Sequence, residues 1–342
     1  MQYRKLGHTD IDVSTIALGC WAIVGDFTWG EQDEADAMAA IDRALELGVN
    51  FFDTAPGYGD GASEQMLGRA LAGRRAEAVI ATKVPPHKLE PEALAASCEQ
   101  SLRDLGTDYI DLLMIHWPNW EIPIDRTWGA MQKLQSQGKV RVLGVSNFGP
   151  RDLDDLSRLD TPAANQLGYS LLARTVEYEI LPRCAEHGIG VTCYSPLAQG
   201  LLTGKFTNAD QVPETRARTR HFADSRPHTK HGEPGCEALT FETIERIRSI
   251  AEQAGVSMAD LSLAWLLTRP AVVSVLAGAR NPQQVETNVA AADLTVDDAT
   301  VTALDEATQP LKEALGPNPD LWFSGDRARI RWVITTADLT GH

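Results

Sequence analysis

Residues 45–54, which read LELGVNFFDT, carry the pattern that decides the fold. Apolar residues at helical spacing predict a helix over Asp33–Leu47, with Asp33 as its N-terminal cap and Gly48 just past its end. The apolar run Asn50–Phe52 that follows is typical of a short strand buried on both faces. A helix that leads directly into a buried strand is the repeating unit of a parallel α/β sheet.

The same alternation continues along the whole chain. Eight runs are predicted as strands: Ile16–Gly19, Asn50–Phe52, Ala78–Ala81, Ile110–Ile115, Val140–Val145, Ala164–Gln166, Gly190–Tyr194 and Val272–Ala277. The helical patterns are Asp33–Leu47, Ser63–Leu71, Glu92–Leu105, Arg126–Gln137, Asp152–Leu159, Glu177–His187 and a longer region, Glu242–Leu267. Eight such units predict an α/β fold of the (β/α)8 TIM barrel class, with residues 1–342 as a single domain. A doubly wound open sheet would show a glycine-rich turn after its first strand, and IALGCW at residues 16–21 has none.

Composition excludes several classes of protein. The chain has 31 Lys+Arg against 47 Asp+Glu, a net charge of −16, which argues against a nucleic-acid partner. No signal peptide is visible, and the longest apolar stretch, near Ala271–Ala279, is about half of what a membrane span needs. The 5 cysteines form no CxxC pair, which is typical of reduced thiols. We expect a cytoplasmic protein without a membrane partner; the sequence indicates no oligomeric state.

Titratable residues follow successive predicted strands. Asp53, Lys83 and His116 lie within two residues of the ends of the second, third and fourth strands, and Tyr58 lies five residues beyond Asp53. In a (β/α)8 barrel, catalytic groups lie at the C-terminal ends of the strands. Each residue alone has an ordinary structural explanation, such as a loop cap or a buried histidine. Together they predict a catalytic group.

These residues closely resemble the motifs of the aldo-keto reductase family. The matching strings, in chain order, are FFDTA…YG at 51–59, Lys83, HWP at 116–118, GVSNF at 144–148, YSPL at 194–197 and GARNPQQ…N at 278–288. The resemblance runs from about residue 1 to residue 310. It implies an NADP(H)-dependent oxidoreductase that interconverts a carbonyl compound and its alcohol. In that family Tyr58 would be the general acid/base, supported by Asp53, Lys83 and His116.

The chemistry of carbonyl reduction supports the same roles. Hydride transfer needs a proton donor for the developing alkoxide and a group that polarises the carbonyl. A free tyrosine, with a pKa of about 10, is a weak acid at neutral pH. A lysine ammonium beside the Tyr58 phenol favours the phenolate, and we expect it to lower the pKa of Tyr58. Asp53 would orient Lys83, and His116 would donate a ring N–H to the substrate oxygen.

The cofactor cannot lie in a Rossmann crevice, since no GxGxxG follows a strand, and the glycines at 200 and 204 do not form a P-loop. The resemblance implies NADP, with NAD less favoured, laid across the barrel mouth. Ser146, Asn147 and Gln166 would bind the carboxamide, and the fork of Arg280 would pair with a 2′-phosphate. The other expected cofactor residues are Tyr194, Ser195, Pro196 and Leu197 at the ring and pyrophosphate, Gly200 and Lys205 along the phosphates, Gly278 beside Arg280, and Gln284 and Asn288 at the adenine.

The substrate side is defined less sharply. Trp21, Trp29, Trp117 and Trp120 follow strand ends or lie in loops, and we expect them to line a pocket for a small-molecule aldehyde, ketone or sugar-like substrate. The histidine pair at 228 and 231 has no second pair and is surrounded by arginines, so no metal site is expected.

Two segments fall outside the alternation of strands and helices. Residues 203–237 follow the seventh strand and contain Arg216, Arg218, Arg220 and Arg226, so they are a candidate lid over the cofactor phosphates. Residues 310–342 form a proline-containing C-terminal tail.

The alternative to an enzyme is a cofactor-binding regulatory subunit that resembles channel β-subunits and has little turnover. A structural protein with the same fold is disfavoured because all four catalytic residues are present.

Overall fold

The structure is a computed structural model, and it describes residues 1–331. Its strands are β1 (Tyr3–Lys5), β2 (Asp12–Ser14), β3 (Ile16–Gly19), β4 (Phe51–Asp53), β5 (Val79–Val84), β6 (Ile110–Ile115), β7 (Val140–Ser146), β8 (Ala164–Gly168), β9 (Gly190–Tyr194) and β10 (Val272–Gly278). The last eight are parallel and close into a barrel in the order β10-β3-β4-β5-β6-β7-β8-β9. The predicted (β/α)8 barrel is confirmed, and each predicted barrel strand matches an observed one to within a few residues.

Helices surround the barrel between successive strands. They are α1 (Glu34–Glu46), α2 (Ala62–Ala70), α3 (Pro91–Leu105), α4 (Ile124–Ser136), α5 (Pro150–Ser157), α6 (Ile180–Glu186), α7 (Glu237–Ala254), α8 (Met258–Leu267), α9 (Pro282–Ala290) and α10 (Asp298–Leu315). The single helical region predicted over Glu242–Leu267 is wrong. Gly255, with φ of +69°, ends α7, and the Ser257 hydroxyl accepts from the Asp260 N–H to start α8.

The barrel has an inner and an outer core because side chains alternate along each strand. Phe51, Ala81, Leu112 and Met114 lie in the inner cluster, and their neighbours in sequence pack outward against the helices. The antiparallel β1–β2 pair, which the sequence did not predict, contributes Val13 to the inner cluster. It therefore closes the end of the barrel where the strands begin and leaves the other end open.

Two irregular segments lie outside this pattern. Residues 204–236, between β9 and α7, contain one short 3-10 turn (Ala209–Gln211). After α10 the chain continues without further α-helix or strand from residue 316 to residue 331. The predicted boundary of the tail at 310 falls inside α10, which tolerates Pro310; the rest of that prediction, residues 332–342, lies outside the described residues. Among residues 1–331, no helix is both long and apolar enough to cross a membrane.

Candidate active site

Strand alternation places the predicted catalytic residues in the barrel lumen. Asp53, Lys83 and His116 each lie two residues beyond an inner-core side chain, namely Phe51, Ala81 and Met114. Residues two apart on a strand point to the same face. The three side chains therefore continue the inner face of the barrel to its open end.

A buried ion pair holds this end together. The Lys83 Nζ lies 2.8 Å and 2.9 Å from the two carboxylate oxygens of Asp53 and donates to the Thr54 carbonyl at 2.8 Å. The Lys83 side chain is 0% exposed. Burial is the largest single effect and lowers the pKa of Lys83, but the interactions with Asp53 and Tyr58 together outweigh it, so the net pKa is raised. The ammonium is therefore charged at neutral pH.

Tyr58 completes the group from the loop after β4. Its hydroxyl lies 3.3 Å from the Lys83 Nζ. The pKa of Tyr58 is raised, because burial outweighs the opposing effect of the Lys83 charge. The expected net lowering of this pKa is thus wrong for this structure, although the effect of the lysine has the expected sign. At neutral pH Tyr58 carries its proton and can donate it.

His116 lies beside Tyr58 with its imidazole uncharged. The two rings are 6.2 Å apart, edge to face. Burial, with the charges of Lys83 and Arg329, lowers the pKa of His116 to about 3. A neutral imidazole retains one ring N–H that can donate to an acceptor.

A cavity of about 830 Å³ opens over these groups and continues along the barrel mouth. It contains most of the residues that the sequence predicted: Trp21, Trp29, Asp53, Tyr58, His116, Trp117, Ser146, Asn147, Gln166, Tyr194, Ser195, Pro196, Leu197, Gly200, Lys205, Gly278, Arg280, Gln284 and Asn288. Lys83 lies beneath it, bound to Asp53. We call the end that holds Asp53, Tyr58 and His116 the catalytic end, after the role that the sequence predicts for these residues, and the end that holds Lys205, Arg216 and Arg280 the cationic end.

A polar network lines the cavity next to the catalytic end. The Tyr194 hydroxyl donates to Asn147 Oδ1 at 2.8 Å, and Asn147 Nδ2 donates to Ser146 Oγ at 3.0 Å. Gln166 Nε2 donates to Asp53 Oδ2 at 2.7 Å, so its Oε1 is the atom left to accept from a ligand. Asn147, at φ +61°, and Ser195, at φ +51°, hold strained backbone conformations, which cluster at binding sites.

The cationic end contains Lys205, Arg216 and Arg280. Within residues 1–331 none of the three has an ion pair with a carboxylate. Burial lowers the pKa of Lys205, and the charge of Arg216 lowers it further. Next to them, both amide atoms of Gln199 are buried and have no hydrogen-bond partner among residues 1–331. Cations without carboxylate partners, next to unsatisfied polar groups, are suited to an anionic ligand.

The GARNPQQ…N motif, residues 278–288, also lies at the cationic end of the cavity. Asn281 caps α9 by accepting from the Gln284 N–H at 3.0 Å, and Gln284 Oε1 accepts from the Arg280 N–H at 3.0 Å. Asn288, one turn further on, donates to the Gly278 carbonyl at 3.2 Å. Both side chains therefore lie on one face of the helix, toward the cavity.

The four arginines predicted to face the phosphates from residues 203–237 do not all line the cavity. Of the four predicted over the phosphates, only Arg216 lines the cavity. Arg220 is buried and binds Glu233 and the carbonyls of the C-terminal segment, and Arg226 pairs with Glu237 and Asp210. Arg218 donates to Thr28 Oγ1 at 3.1 Å. The expectation that all four face the phosphates is corrected: three of them fix the loop to its surroundings.

Aromatic side chains form the walls at the catalytic end. Trp21 stacks on Tyr58 at 6.1 Å and contacts Trp29 edge to face at 5.4 Å. Trp322, which was not predicted as a site residue, stacks on Tyr194 at 6.0 Å and contacts Trp117 at 6.2 Å. Its position shows that the C-terminal segment contributes to the site.

Trp120 lies elsewhere. It is 49% exposed, and its Nε1 donates to Asp152 at 2.9 Å. It lines a separate cavity of about 160 Å³ together with Arg331. The prediction that Trp120 contributes to the substrate pocket is corrected accordingly. Among residues 1–331, no group of three or more His, Cys, Asp or Glu side chains could hold a metal ion.

Comparison with known proteins gives one family. The model of the Aldo/keto reductase family matches residues 15–309. The NADH-specific methylglyoxal reductase of Escherichia coli is 33% identical, over 91% of this chain and 100% of that protein. A probable voltage-gated potassium channel subunit beta of Arabidopsis thaliana is 32% identical, over 86% of this chain and 92% of that one.

Solved structures agree with this result. The glycerol dehydrogenase of Gluconobacter oxydans has a TM-score of 0.78 at 33% identity and covers 93% of this chain and 96% of its own. An aldo-keto reductase from Klebsiella pneumoniae, solved in complex with NADPH, has a TM-score of 0.71 at 28% identity and covers 97% and 100%.

The His116 pKa leads to a prediction about pH. The imidazole should stay neutral from pH 8 down to about pH 4, well below the usual titration near 6.5. Because the unfolded chain binds a proton at this position between about pH 6.5 and pH 3, the free energy of unfolding should decrease as the pH falls through that range. Histidine ring NMR signals, with His116→Asn to assign the resonance, measure this directly. A midpoint near 6.5 would contradict the account of the site.

Proposed function

Since the chain belongs to the Aldo/keto reductase family, we propose that it is an NADP(H)-dependent oxidoreductase that interconverts a small-molecule carbonyl compound and its alcohol, with Tyr58 as the general acid/base. The observation that carries the proposal is the Tyr58 hydroxyl, 3.3 Å from a buried, charged lysine and on the wall of the large cavity. We expect this enzyme to work in the cytoplasm, in keeping with its free cysteines.

Tyr58 moves the proton. In the reducing direction its hydroxyl donates to the carbonyl oxygen, and the phenolate that remains is stabilised by the Lys83 ammonium at 3.3 Å. In the oxidising direction the phenolate accepts the alcohol proton. The raised pKa of Tyr58 keeps the proton on the hydroxyl at neutral pH, so the ammonium acts when charge develops on the oxygen.

Asp53 and His116 support that step in different ways. Asp53 holds the ammonium in place through both carboxylate oxygens, and Gln166 holds Asp53. His116 presents a neutral N–H and so binds and orients the carbonyl oxygen without adding a second cation.

The residues along the mouth fit a nicotinamide dinucleotide, which supplies the hydride when bound. Ser146 and Gln166 Oε1 would hold the carboxamide, and Asn147 would fix the Tyr194 ring against the nicotinamide through the 2.8 Å hydrogen bond. Ser195, Pro196, Leu197 and Gly200 would follow the phosphate chain. Lys205 and Arg216, which have no carboxylate partner in the described part of the chain, would neutralise it. Arg216 is the residue through which the segment 203–237 would act as a lid.

Cofactor choice rests on Arg280. Its planar guanidinium has no carboxylate partner within residues 1–331. It lines the cationic end of the cavity. A guanidinium suits the dianionic 2′-phosphate of NADP, and Gln284 and Asn288 would contact the adenine beside it. The NADPH complex of the Klebsiella relative supports this choice. The NADH-specific Escherichia coli relative makes the choice one to be measured.

The substrate would lie between indole walls. Trp21, Trp117 and Trp322 surround Tyr58 and His116. Among residues 1–331, the Lys and Arg side chains that line the cavity are Lys205, Arg216 and Arg280, all at its cationic end. Arg329 lies behind Trp117, 3.6 Å from the ring centroid, and is ion-paired with Asp320. These walls favour uncharged aldehydes, ketones or sugar-like carbonyls that stack on flat rings. The alternative function, a cofactor-binding regulatory subunit, is supported by the identity to the Arabidopsis protein.

Replacing Tyr58 separates the two functions. Tyr58→Phe should reduce turnover of a panel of aldehydes by about 10²- to 10⁴-fold, because it removes only the transferable proton. The affinity for NADPH, measured by fluorescence, should stay within about twofold of the parent. The matched control is Tyr178→Phe, on an exposed tyrosine. If wild type turns over no aldehyde, the regulatory subunit is favoured; activity retained within about tenfold in Tyr58→Phe would refute the role of the phenol.

A second variant tests the cofactor. Arg280→Ala should weaken NADPH binding by about ten- to a hundredfold and leave NADH binding nearly unchanged, because only NADPH carries the 2′-phosphate. Calorimetric titration with both cofactors measures this, with Arg246→Ala removing an exposed cation of α7 as the control. Equal losses for the two cofactors would contradict the assignment of Arg280.

A further inference from the structure

A loop that precedes α1 lies against Arg280. We call residues 25–32 the strap. The strap carbonyls of Trp29 and Glu31 accept from the two terminal nitrogens of Arg280, the first at 3.2 Å. Gln32 Oε1 accepts from the Arg280 Nε at 2.6 Å. The strap thus holds Arg280 across more than 240 residues of sequence.

Gln32 holds Arg280 at two points. Its Oε1 binds the guanidinium, and its Nε2 donates to the Arg280 main-chain carbonyl at 2.9 Å. A primary amide can do this because it carries an acceptor oxygen and a donor nitrogen on the same group. Because the Gln32 side chain binds both the main-chain carbonyl and the guanidinium of Arg280, it limits the rotamers that the Arg280 side chain can adopt.

All three strap partners of Arg280 are uncharged. They orient the guanidinium without neutralising it, so the full positive charge stays available to an anion. A guanidinium has five N–H donors, and the strap uses three of them. The remaining two, on the terminal nitrogens, suffice for a bidentate contact with a phosphate.

The strap is itself fixed. The Asp26 carboxylate accepts from the Thr28 N–H at 2.7 Å, the Trp29 N–H at 2.9 Å and the Trp21 indole at 2.7 Å. Gly25 has φ of +64°, and a Cβ there would lie 2.6 Å from the Gly30 carbonyl oxygen. The loop is therefore built to close on itself, and it presents Gln32 to Arg280 in a set position.

We infer that Gln32 is a positioning residue that sets the preference for NADP over NAD, by holding Arg280 in the orientation that receives the 2′-phosphate. This inference rests on the proposed function, because it assumes that Arg280 contacts that phosphate. A different reading of the same contacts, in which the strap competes with the phosphate for Arg280, predicts the opposite sign when Gln32 is removed.

The test is the ratio of the dissociation constants for NADH and NADPH, measured by calorimetry on the full chain. Gln32→Leu should weaken NADPH binding by about five- to tenfold, because an oriented guanidinium becomes mobile. Gln32→Glu should weaken it by about tenfold or more, because a carboxylate would pair with Arg280 and repel the phosphate. NADH binding should change by less than about twofold in both.

Matched controls use Gln137, an exposed glutamine at the end of α4, where the chain enters β7 at the opposite end of the barrel. Gln137→Leu and Gln137→Glu make the same chemical changes there and should leave the ratio unchanged. A merely structural role for Gln32 would weaken both cofactors together and leave the ratio intact, which would overturn the inference. Stronger NADPH binding in Gln32→Leu would overturn it in favour of competition.

Arg280→Ala distinguishes a failure of the inference about Gln32 from a failure of the proposed 2′-phosphate contact. If that variant shifts the ratio but the Gln32 variants do not, Arg280 keeps its role and the positioning role of Gln32 is refuted. If Arg280→Ala itself leaves the ratio unchanged, the proposed 2′-phosphate contact is refuted, and the inference about Gln32 is refuted with it. Gln32→Met keeps the length of the side chain and removes both polar atoms, so it provides the answer if Gln32→Leu does not fold.

Discussion

The buried contact between Lys83 and Asp53 is the interaction on which the rest of the site depends. Burying two charges is costly, and the pair persists only when hydrogen bonds satisfy the remaining donors and acceptors. The Thr54 carbonyl, Tyr58 and Gln166 supply these bonds from the loop after β4 and from β8. Satisfying one ion pair therefore fixes the position of the Tyr58 hydroxyl.

The same cavity divides charge along its length. At the catalytic end the walls are indoles and the histidine is neutral, so Lys83 is the cation that contacts the Tyr58 hydroxyl. At the far end three cations lack carboxylate partners within the described residues, in a chain of net charge −16. That contrast favours an anionic cofactor at one end and an uncharged substrate at the other.

Much of this could be predicted from sequence, for a physical reason. Buried parallel strands are continuous apolar runs, and alternation places Asp53, Lys83 and His116 on the lumen side of their ends. What failed depends on tertiary contacts. The strands β1 and β2 have three mostly polar residues each, so they lack the continuous apolar run that marks the equally short β4. The charges of Arg220 and Arg226 gave no sign that Glu233 and Glu237, 13 and 11 residues further along the chain, would pair with them.

Other failures have the same origin. Trp322 reaches the cavity because Asp320 and Arg329 fold the C-terminal segment onto Trp117, and no local pattern encodes that contact. Trp120, three residues after Trp117, turns instead toward Asp152. The pKa of Tyr58 depends on a balance between burial and the Lys83 charge, and only the fold determines how deeply the phenol is buried.

The central claim is that Lys83 acts on the reaction through the Tyr58 hydroxyl. The most direct test is a double-mutant cycle on the single-turnover rate of carbonyl reduction, with Tyr58→Phe, Lys83→Met and both together, each checked for folding by circular dichroism. The account predicts that the double variant is no slower than Tyr58→Phe alone, within about twofold, because the lysine has no phenolate left to stabilise. Losses that multiply in the double variant would show that Lys83 acts independently of Tyr58 and would contradict the account.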